Sequence, residues 1–225
     1  MRYMMQMAYK YMFFDLDGVI ADSRFMYVHA IASAMRGAGI SADEKEIQAT
    51  ITPDVTVWVN AMRQRFGDKA TRGVIDQARK FVANEGWRIV EPCAAIRPFL
   101  AFLKDRGMRA ALVSNAPSDY ARKVLERLEI QPYFEAAISC PEQRMTKQQG
   151  IELLLKQTGT KPTEALYICD TAMDVVHAGK AGVGAVVVFS VISWDYPYRD
   201  RVERENPLMI AGSIEDVMEW LKQSN

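Results

Sequence analysis

Two carboxylates stand where an apolar segment ends, in the sequence YMFFDLDGVIADS at residues 11–23. Asp15 and Asp17 are two residues apart, and side chains alternate between the two faces of a strand, so both leave its end on the same side. Carboxylates this close together need a positive partner. A polar turn is the alternative interpretation of Asp-Leu-Asp-Gly in isolation. A calcium loop of the EF-hand type is rejected, because glycine stands fourth in this motif instead of sixth.

Polar side chains also follow two later apolar segments. Ser114 and Asn115 end one of them, Asp170 ends another, and Asp174 stands four residues further on. Because ligands of open α/β sheets bind beyond the carboxyl ends of the strands, one acidic crevice is expected to collect these side chains. Hard carboxylate oxygens favour Mg²⁺, which commonly also binds phosphate oxygens of a substrate. A phosphorylated substrate is therefore the expected partner.

The elements that must position these residues alternate between strand and helix. Short apolar runs predict buried parallel strands at residues 109–114, 165–170 and 184–189, with a shorter one at 136–139. Helical patterns follow at 96–106, 120–128, 147–157, 174–180 and 213–221. This alternation predicts an α/β fold with a doubly wound, mostly parallel, Rossmann-like sheet.

The segment between the first two strands breaks this alternation. Its pattern predicts helices at 24–36, 43–49, 53–66 and 69–87, with no strand among them. Ser41 and Glu44 fit a capping box, and Pro53 fits the first turn of a helix. An all-helical insert at this point predicts a small cap domain that closes over the crevice. The expected division is a catalytic core of residues 1–22 and 90–225 and a helical cap of residues 23–89.

Composition excludes several classes of partner. The 28 basic and 28 acidic side chains give a formal charge of zero, so nothing attracts the chain generally to nucleic acid or to an anionic membrane. No window approaches the roughly 18 apolar residues of a membrane-spanning helix. Cys93, Cys140 and Cys169 lie far apart without a C-x-x-C pair, which favours buried reduced thiols. We expect a cytoplasmic protein that is a monomer or a homodimer.

Four segments, taken in order, resemble the motifs of the haloacid dehalogenase-like (HAD) superfamily. The resemblance is to its phosphoglycolate phosphatase and β-phosphoglucomutase-like branch, in which a helical cap is inserted after motif one. It extends from residue 11 to the C-terminus and is weaker in the insert. The segments that resemble motifs one to four are, respectively, Asp15-Leu-Asp-Gly-Val-Ile, Leu112-Val-Ser-Asn115, Lys147 and Asp170-Thr-Ala-Met-Asp174.

The resemblance implies a phosphatase that acts on a small phosphorylated metabolite through an aspartyl-phosphate. Asp15 would attack phosphorus. Asp17 would protonate the leaving oxygen and then activate the water that hydrolyses the intermediate. Ser114, Asn115 and Lys147 would bind the phosphoryl group, and Lys147 would also neutralise the nucleophile.

The same resemblance implies a Mg²⁺ site. Its expected contacts are the carboxylates of Asp15 and Asp170 and the backbone carbonyl of Asp17. Asp174 would hold a metal-bound water or orient Lys147.

Two departures from the family pattern concern this site. Cys169 stands where the family commonly has glycine, which puts side-chain bulk next to Asp170. Lys147 is followed by Gln148 where proline is frequent, and Arg144 is a weaker competitor for the role of Lys147. In isolation, Lys147 is also consistent with an ordinary solvated lysine at a helix start.

Other functions and substrate contacts stay open at this stage. A sugar phosphomutase would use the same residues and return the phosphoryl group to the sugar, and a non-catalytic module would bind Mg²⁺ and a phospho-ligand without turnover. Cap residues would select the substrate. Several side chains there could contact it, although solvent-facing charge and cap core are the simpler interpretations; they are Arg63, Arg65, Arg72, Lys80 and, by stacking, Trp58. His29 and His177 are expected to be structural.

Overall fold

A six-stranded parallel sheet forms the centre of the molecule in the computed structural model, which describes residues 9–52 and 55–224. Its strand order is β5-β4-β1-β6-β7-β8, and β2 pairs with β3 in a separate two-stranded antiparallel sheet. The predicted doubly wound α/β fold is confirmed. The strands are β1 (Tyr11–Phe14), β2 (Ala21–Asp22), β3 (Glu91–Pro92), β4 (Arg109–Ser114), β5 (Phe134–Ser139), β6 (Ala165–Cys169), β7 (Gly184–Val188) and β8 (Met209–Ala211).

Apolar side chains cover both faces of the sheet. Along β1, Met12 and Phe14 belong to one hydrophobic cluster, and Tyr11 and Phe13 belong to a second. Side chains alternate between faces, so a strand that is buried on both sides must be apolar at every position. This is why the predicted strands are uninterrupted apolar runs.

Ten helices surround the sheet in the described part of the chain. Helices α5, α6 and α10 contribute to the first cluster, and α7, α8 and α9 to the second. The helices are α1 (Ser23–Gly37), α2 (Glu44–Gln48), α3 (Val55–Phe66), α4 (Arg72–Asn84), α5 (Ile96–Asp105), α6 (Ser118–Arg127), α7 (Lys147–Thr158), α8 (Ala172–Lys180), α9 (Arg199–Arg204) and α10 (Ile214–Ser224). None of these helices is long and apolar enough to cross a membrane.

Helices α1 to α4, here called the helical segment (residues 23–84), lie between β2 and β3 in the chain. These two short strands pair at the point where the chain leaves the sheet region and returns to it, with Asp22 opposite Glu91. The segment packs its own apolar side chains, among them Met35, Trp58 and Met62, into the first hydrophobic cluster. It is the part of the chain for which a cap was predicted.

Several predicted details of the helical segment differ from the structure. The capping box of α2 uses Asp43 and Glu46, not Ser41 and Glu44: the Asp43 side chain accepts from Lys45 N at 3.0 Å. The long helix predicted at 69–87 is a 3₁₀ turn, α4 and a second 3₁₀ turn. The predicted helix start at Pro53 lies outside the described residues. Strand β8 and helix α9 were not predicted.

Candidate active site

Three of the predicted site residues form a buried ion-pair cluster. The Nζ atom of Lys147 lies 2.8 Å from Oδ2 of Asp15 and 2.7 Å from Oδ1 of Asp174. All three side chains are buried. The Thr171 hydroxyl donates to the other oxygen of Asp174 at 2.7 Å. A lysine between two buried carboxylates balances part of their charge and fixes the position of both.

Helix starts and strand ends place these groups. Asp15 directly follows the central strand β1, and its amide donates to the carbonyl of Ile168 in the neighbouring strand β6. Lys147 is the first residue of α7, which begins at a capping box in which Thr146 and Gln149 exchange hydrogen bonds. Asp174 lies in the first turn of α8, whose N-cap is Thr171. Local helix signals therefore aim Lys147 and Asp174 at the end of β1.

A third carboxylate completes a possible cation site. Oxygen atoms of Asp15, Asp170 and Asp174 all lie within 4.8 Å of one another. Asp170 accepts a hydrogen bond from the Trp194 amide at 2.6 Å through Oδ2, whereas its buried Oδ1 has no partner in the described structure. A buried carboxylate oxygen without a donor is costly unless a ligand satisfies it. These hard oxygen donors fit a divalent cation such as Mg²⁺.

Gly18 allows the chain to turn close to this group. Its φ of +79° lies in the left-handed region, and a Cβ added there would be 2.1 Å from Oδ2 of Asp170. The position therefore needs glycine both for its backbone conformation and for its distance from the carboxylate.

The electrostatics of the site favour protonated or cation-bound carboxylates. Burial raises the pKa of Asp15 to about 7, the nearby Lys147 opposes this rise, and Asp174 adds to it. Burial, followed by the charges of Asp15 and Asp174, raises the pKa of Asp170 well above its ordinary value. Both shifts have the same cause, which is the low-dielectric surroundings of several like charges.

Asp17 occupies a separate place in the crevice. Its carboxylate is not part of the three-carboxylate group, so the predicted metal contact is limited to its backbone carbonyl and stays a prediction. Burial raises the pKa of Asp17, although hydrogen bonds from Ser23 and Tyr120 lower it in part. Its Oδ1 is buried and has no partner among the residues that the structure describes. A carboxyl group of this kind retains its proton more readily than an exposed one.

Ser114 and Asn115 line the same cavity beside Lys147. Ser114 is buried, and its Oγ accepts from the Ala116 amide at 3.0 Å, which leaves the hydroxyl hydrogen for another acceptor. Neither residue caps the helix that follows, since the N-cap of α6 is Pro117.

A cavity of about 800 Å³ connects these groups to the helical segment. Its wall includes Asp15, Asp17 and Lys147 from the core, and Trp58 and Arg79 from the helical segment. The structure thus brings the predicted residues together beneath side chains of the predicted cap.

Several other residues that the sequence singled out lie away from the cavity. Arg144 is exposed and does not line the cavity. The Cys169 side chain packs into the second hydrophobic cluster, and its Sγ donates to the Val186 carbonyl at 3.8 Å. Its bulk therefore enters the core and not the cavity.

Two of the proposed substrate contacts are engaged at the surface: Arg63 and Arg65 form ion pairs with Asp68 and Glu46, respectively.

The remaining substrate-contact candidates divide between the cavity wall and the surface. Trp58 lines the cavity and is also buried, so its packing role is observed, and substrate stacking stays a prediction. Lys80 is exposed and is not part of the wall, and the side chain of Arg72 lies outside the described residues. His177, expected to be structural, lines the cavity with a buried Nδ1 that has no partner in the described part of the chain.

Sequence analysis missed the loop that follows β7. Trp194 holds Asp170 through its amide, and Asp195 accepts from the Ala172 amide at 2.7 Å, at the start of α8. Arg79 in α4 was also missed. The signal for the loop was available, because Trp194 and Asp195 follow a parallel strand at the edge of the sheet where the other site residues were found.

Comparisons with known proteins give consistent matches over most of the chain. The model of the haloacid dehalogenase-like hydrolase family matches residues 12–188. Tyrosine-protein kinase PtkA of Mycobacterium tuberculosis is 26% identical over 213 residues, which cover 92% of this chain and 71% of the relative. Phosphoglycolate phosphatase of Pseudomonas syringae pv. tomato is 23% identical over 218 residues, covering 91% of this chain and 77% of the relative.

A solved structure shares the fold. The crystal structure of a HAD family hydrolase from Deinococcus radiodurans, which has bound phosphate and sodium, superposes with a TM-score of 0.81 at 16% identity. The superposition covers 96% of each chain.

Proposed function

The chain belongs to the haloacid dehalogenase-like hydrolase family, and from this we propose that it is a Mg²⁺-dependent phosphatase that acts on a small phosphorylated metabolite. The observation that supports this most directly is the position of Lys147 between Asp15 and Asp174, with Asp170 beside them. The phosphoglycolate phosphatases among the relatives and the phosphate in the similar solved structure agree with it.

In the proposed first step, the Asp15 carboxylate attacks phosphorus. A bond forms between an Asp15 oxygen and phosphorus while the bond from phosphorus to the ester oxygen breaks, and Asp17 gives its proton to that oxygen. The raised pKa of Asp17 suits it to this role, because burial keeps the proton on the acid until the leaving oxygen needs it.

In the second step, water hydrolyses the aspartyl-phosphate. Asp17, now a carboxylate, removes a proton from the water that attacks phosphorus, and phosphate leaves as Asp15 is restored. The net reaction consumes one water and regenerates both aspartates.

Lys147 and Ser114 stabilise the transferring group in this mechanism. Burial alone would lower the pKa of Lys147, but Asp15 and Asp174 raise it above its ordinary value, so the amine stays protonated. Its charge offsets the repulsion between the Asp15 carboxylate and an anionic phosphate. The hydroxyl hydrogen of Ser114 and the Asn115 backbone amide would bind phosphoryl oxygens.

Asp15, Asp170 and Asp174 would hold the Mg²⁺ ion. When bound, the ion supplies charge neutralisation for the phosphoryl group. The buried Oδ1 of Asp170 has no hydrogen-bond partner in the described structure, and the ion would supply a contact for it.

Hydrolysis of p-nitrophenyl phosphate tests this proposal. We expect phosphate release with Mg²⁺, loss of release in EDTA and recovery when Mg²⁺ is restored. Asp15→Asn should lower the rate at least about 10³-fold, because it removes the nucleophile. Asp105→Asn, an equivalent change at an exposed position, should have no effect. Metal-dependent release that survives Asp15→Asn would contradict the mechanism.

A second candidate is transfer of the phosphoryl group to a hydroxyl other than water. The similarity to a protein named as a tyrosine-protein kinase favours it. Incubation with radiolabelled phosphate donors separates the two: label appears in inorganic phosphate for a phosphatase and in an organic or protein acceptor for a transferase.

A further inference from the structure

Aromatic side chains form a continuous wall of the cavity. The ring of Tyr27 meets that of Trp58 edge-on at 6.0 Å and that of Trp194 at 5.1 Å, with interplanar angles of 74° and 80°. All three residues line the cavity. The wall joins the helical segment to the loop after β7, so a bound molecule would touch rings from both parts.

One of these rings has an unused hydrogen-bond donor. Trp58 is only 3% exposed, and its Nε1 is buried without a partner among the described residues. Buried indole N–H groups usually find an acceptor. Trp58 belongs to the cavity wall, and a ligand in the cavity is one source of such an acceptor.

A cation on helix α4 lines the same cavity as this donor. Arg79, Val82 and Ala83 line the cavity together, and their spacing of three and four residues places them on one face of the helix. Arg79 is exposed, and the structure gives its guanidinium no ion pair or hydrogen bond with any described residue. Its charge lies close enough to Tyr27 to lower the pKa of that phenol in part against a larger rise from burial.

Apolar side chains form several other parts of the wall. Val57 and Met173, at 51% and 60% exposure, add apolar surface, and Pro117 and Ala172 line the cavity as well. A substrate ring that faces these side chains gains more from an apolar surface than from hydroxyl groups, which would have no partners at these positions. A cavity of about 800 Å³ is also far larger than a two-carbon ester needs.

We infer that the preferred substrate is an aryl phosphate whose ring carries an anionic substituent. The inference rests on the proposed phosphatase function and specifies its substrate class. The phosphoryl group lies at Asp15, the ring packs against Trp58 and Tyr27, and the anion binds the Arg79 guanidinium and the Trp58 N–H. No side chain on the cap side of the described cavity wall other than Arg79 has a positive charge.

The relative kcat/KM values of several phosphate esters test the inferred substrate class. We compare kcat/KM for 3- and 4-carboxyphenyl phosphate, phenyl phosphate and phosphoglycolate. At least one carboxyphenyl ester should exceed both phenyl phosphate and phosphoglycolate by about tenfold, the usual scale of one charge-assisted contact. The ratio of carboxyphenyl to phenyl phosphate should fall about tenfold in Arg79→Gln and less in Trp58→Phe, which keeps a ring but removes the N–H. Lys80→Gln, its exposed neighbour on α4, should leave the ratio unchanged.

The outcomes separate this inference from the phosphatase proposal. A preference for phosphoglycolate, or a ratio that Arg79→Gln does not change, overturns the aryl inference while Asp15-dependent hydrolysis still supports a phosphatase. Equal loss of the ratio in Arg79→Gln and Lys80→Gln also overturns it, because general charge would then explain the preference. If none of the esters, p-nitrophenyl phosphate included, is hydrolysed, the phosphatase proposal fails and the inference fails with it.

Discussion

Lys147 balances only part of the charge around it. Asp15, Asp170 and Asp174 together have three negative charges when ionised, and one ammonium group leaves two of them unbalanced. A divalent cation matches that remainder. The amine and the cation therefore divide the same task, and loss of the amine should affect stability as well as chemistry.

Lys147→Met should destabilise the protein by about 3–5 kcal/mol at neutral pH, because it leaves Asp15 and Asp174 buried without their partner. The loss should be smaller near pH 5, where the raised pKa of Asp15 lets it become neutral. Urea unfolding at both pH values measures this. Lys156→Met, at an exposed site on the same helix, is the control. Equal losses for the two variants would show that Lys147 does not stabilise the cluster.

The turn after β1 brings the chain close to Asp170, one of the residues proposed to hold the cation. Gly18 and Gly67 have φ values of +79° and +80°, but a Cβ at Gly67 would meet nothing within 4 Å. The two positions therefore share a positive φ and differ in the distance to a neighbour.

Gly67→Ala should cost about 1–3 kcal/mol, because its φ of 80° and ψ of 177° lie in a region that is almost restricted to glycine. Gly18→Ala should add a clash with Asp170 to its backbone cost and should also weaken Mg²⁺ activation, since the new methyl group displaces Asp170. Thermal unfolding and the Mg²⁺ concentration for half-maximal hydrolysis test both effects. If Gly67→Ala weakens Mg²⁺ activation as much as Gly18→Ala does, the contact with Asp170 is not the cause.

Elements with strong local signals were predictable from the sequence. The apolar runs of β4, β6 and β7 gave bounds within one residue of those observed, and the rule that ligands bind at carboxyl strand ends located the cluster. The strand β8 has only three residues and was not recognised.

Tertiary arrangement accounts for what the sequence could not predict. Arg79 lines the cavity and its neighbour Lys80 does not, because only one face of α4 meets the cavity. The packing of the helical segment on the core sets which face this is. The role of Trp194 likewise depends on a loop without periodicity. The cap of α2 is Asp43 and not Ser41. Both residue types are good N-caps, so only the position at which the helix starts decides between them.

At the scale of the whole molecule, the site lies at the point where the strand order of the sheet reverses. The chain proceeds from β1 outward through β4 and β5 on one side and through β6, β7 and β8 on the other. Such a switch point leaves a crevice at the end of the central strand. The crevice is surrounded by the two hydrophobic layers, which explains why its carboxylates are so strongly desolvated.

Stability should therefore depend on pH and Mg²⁺ together. The folded-state pKa of Asp15, about 7, exceeds its ordinary value of 3.8, so the folded protein binds more protons than the unfolded chain between these values. Without metal, stability should fall as pH rises across this range. Mg²⁺ replaces the proton, so its stabilising effect should be larger at about pH 8 than at about pH 5.5.

Thermal unfolding with and without Mg²⁺ at both pH values measures this dependence. Asp170→Asn should remove most of the Mg²⁺-induced shift in Tm. A shift of the same size at the two pH values would mean that Mg²⁺ does not compete with protons at these carboxylates.

Trp194 contacts both the helical segment and one of the carboxylates of the site. Its amide holds Asp170 at 2.6 Å, and its indole donates to Ser23, the first residue of α1, at 3.2 Å. Rotation of the helical segment about β2 and β3 would strain the same residue that orients an oxygen donor for the cation. In the proposed enzyme, ion affinity and the angle of the helical segment would therefore be thermodynamically linked, and each would bias the other by an equal free energy.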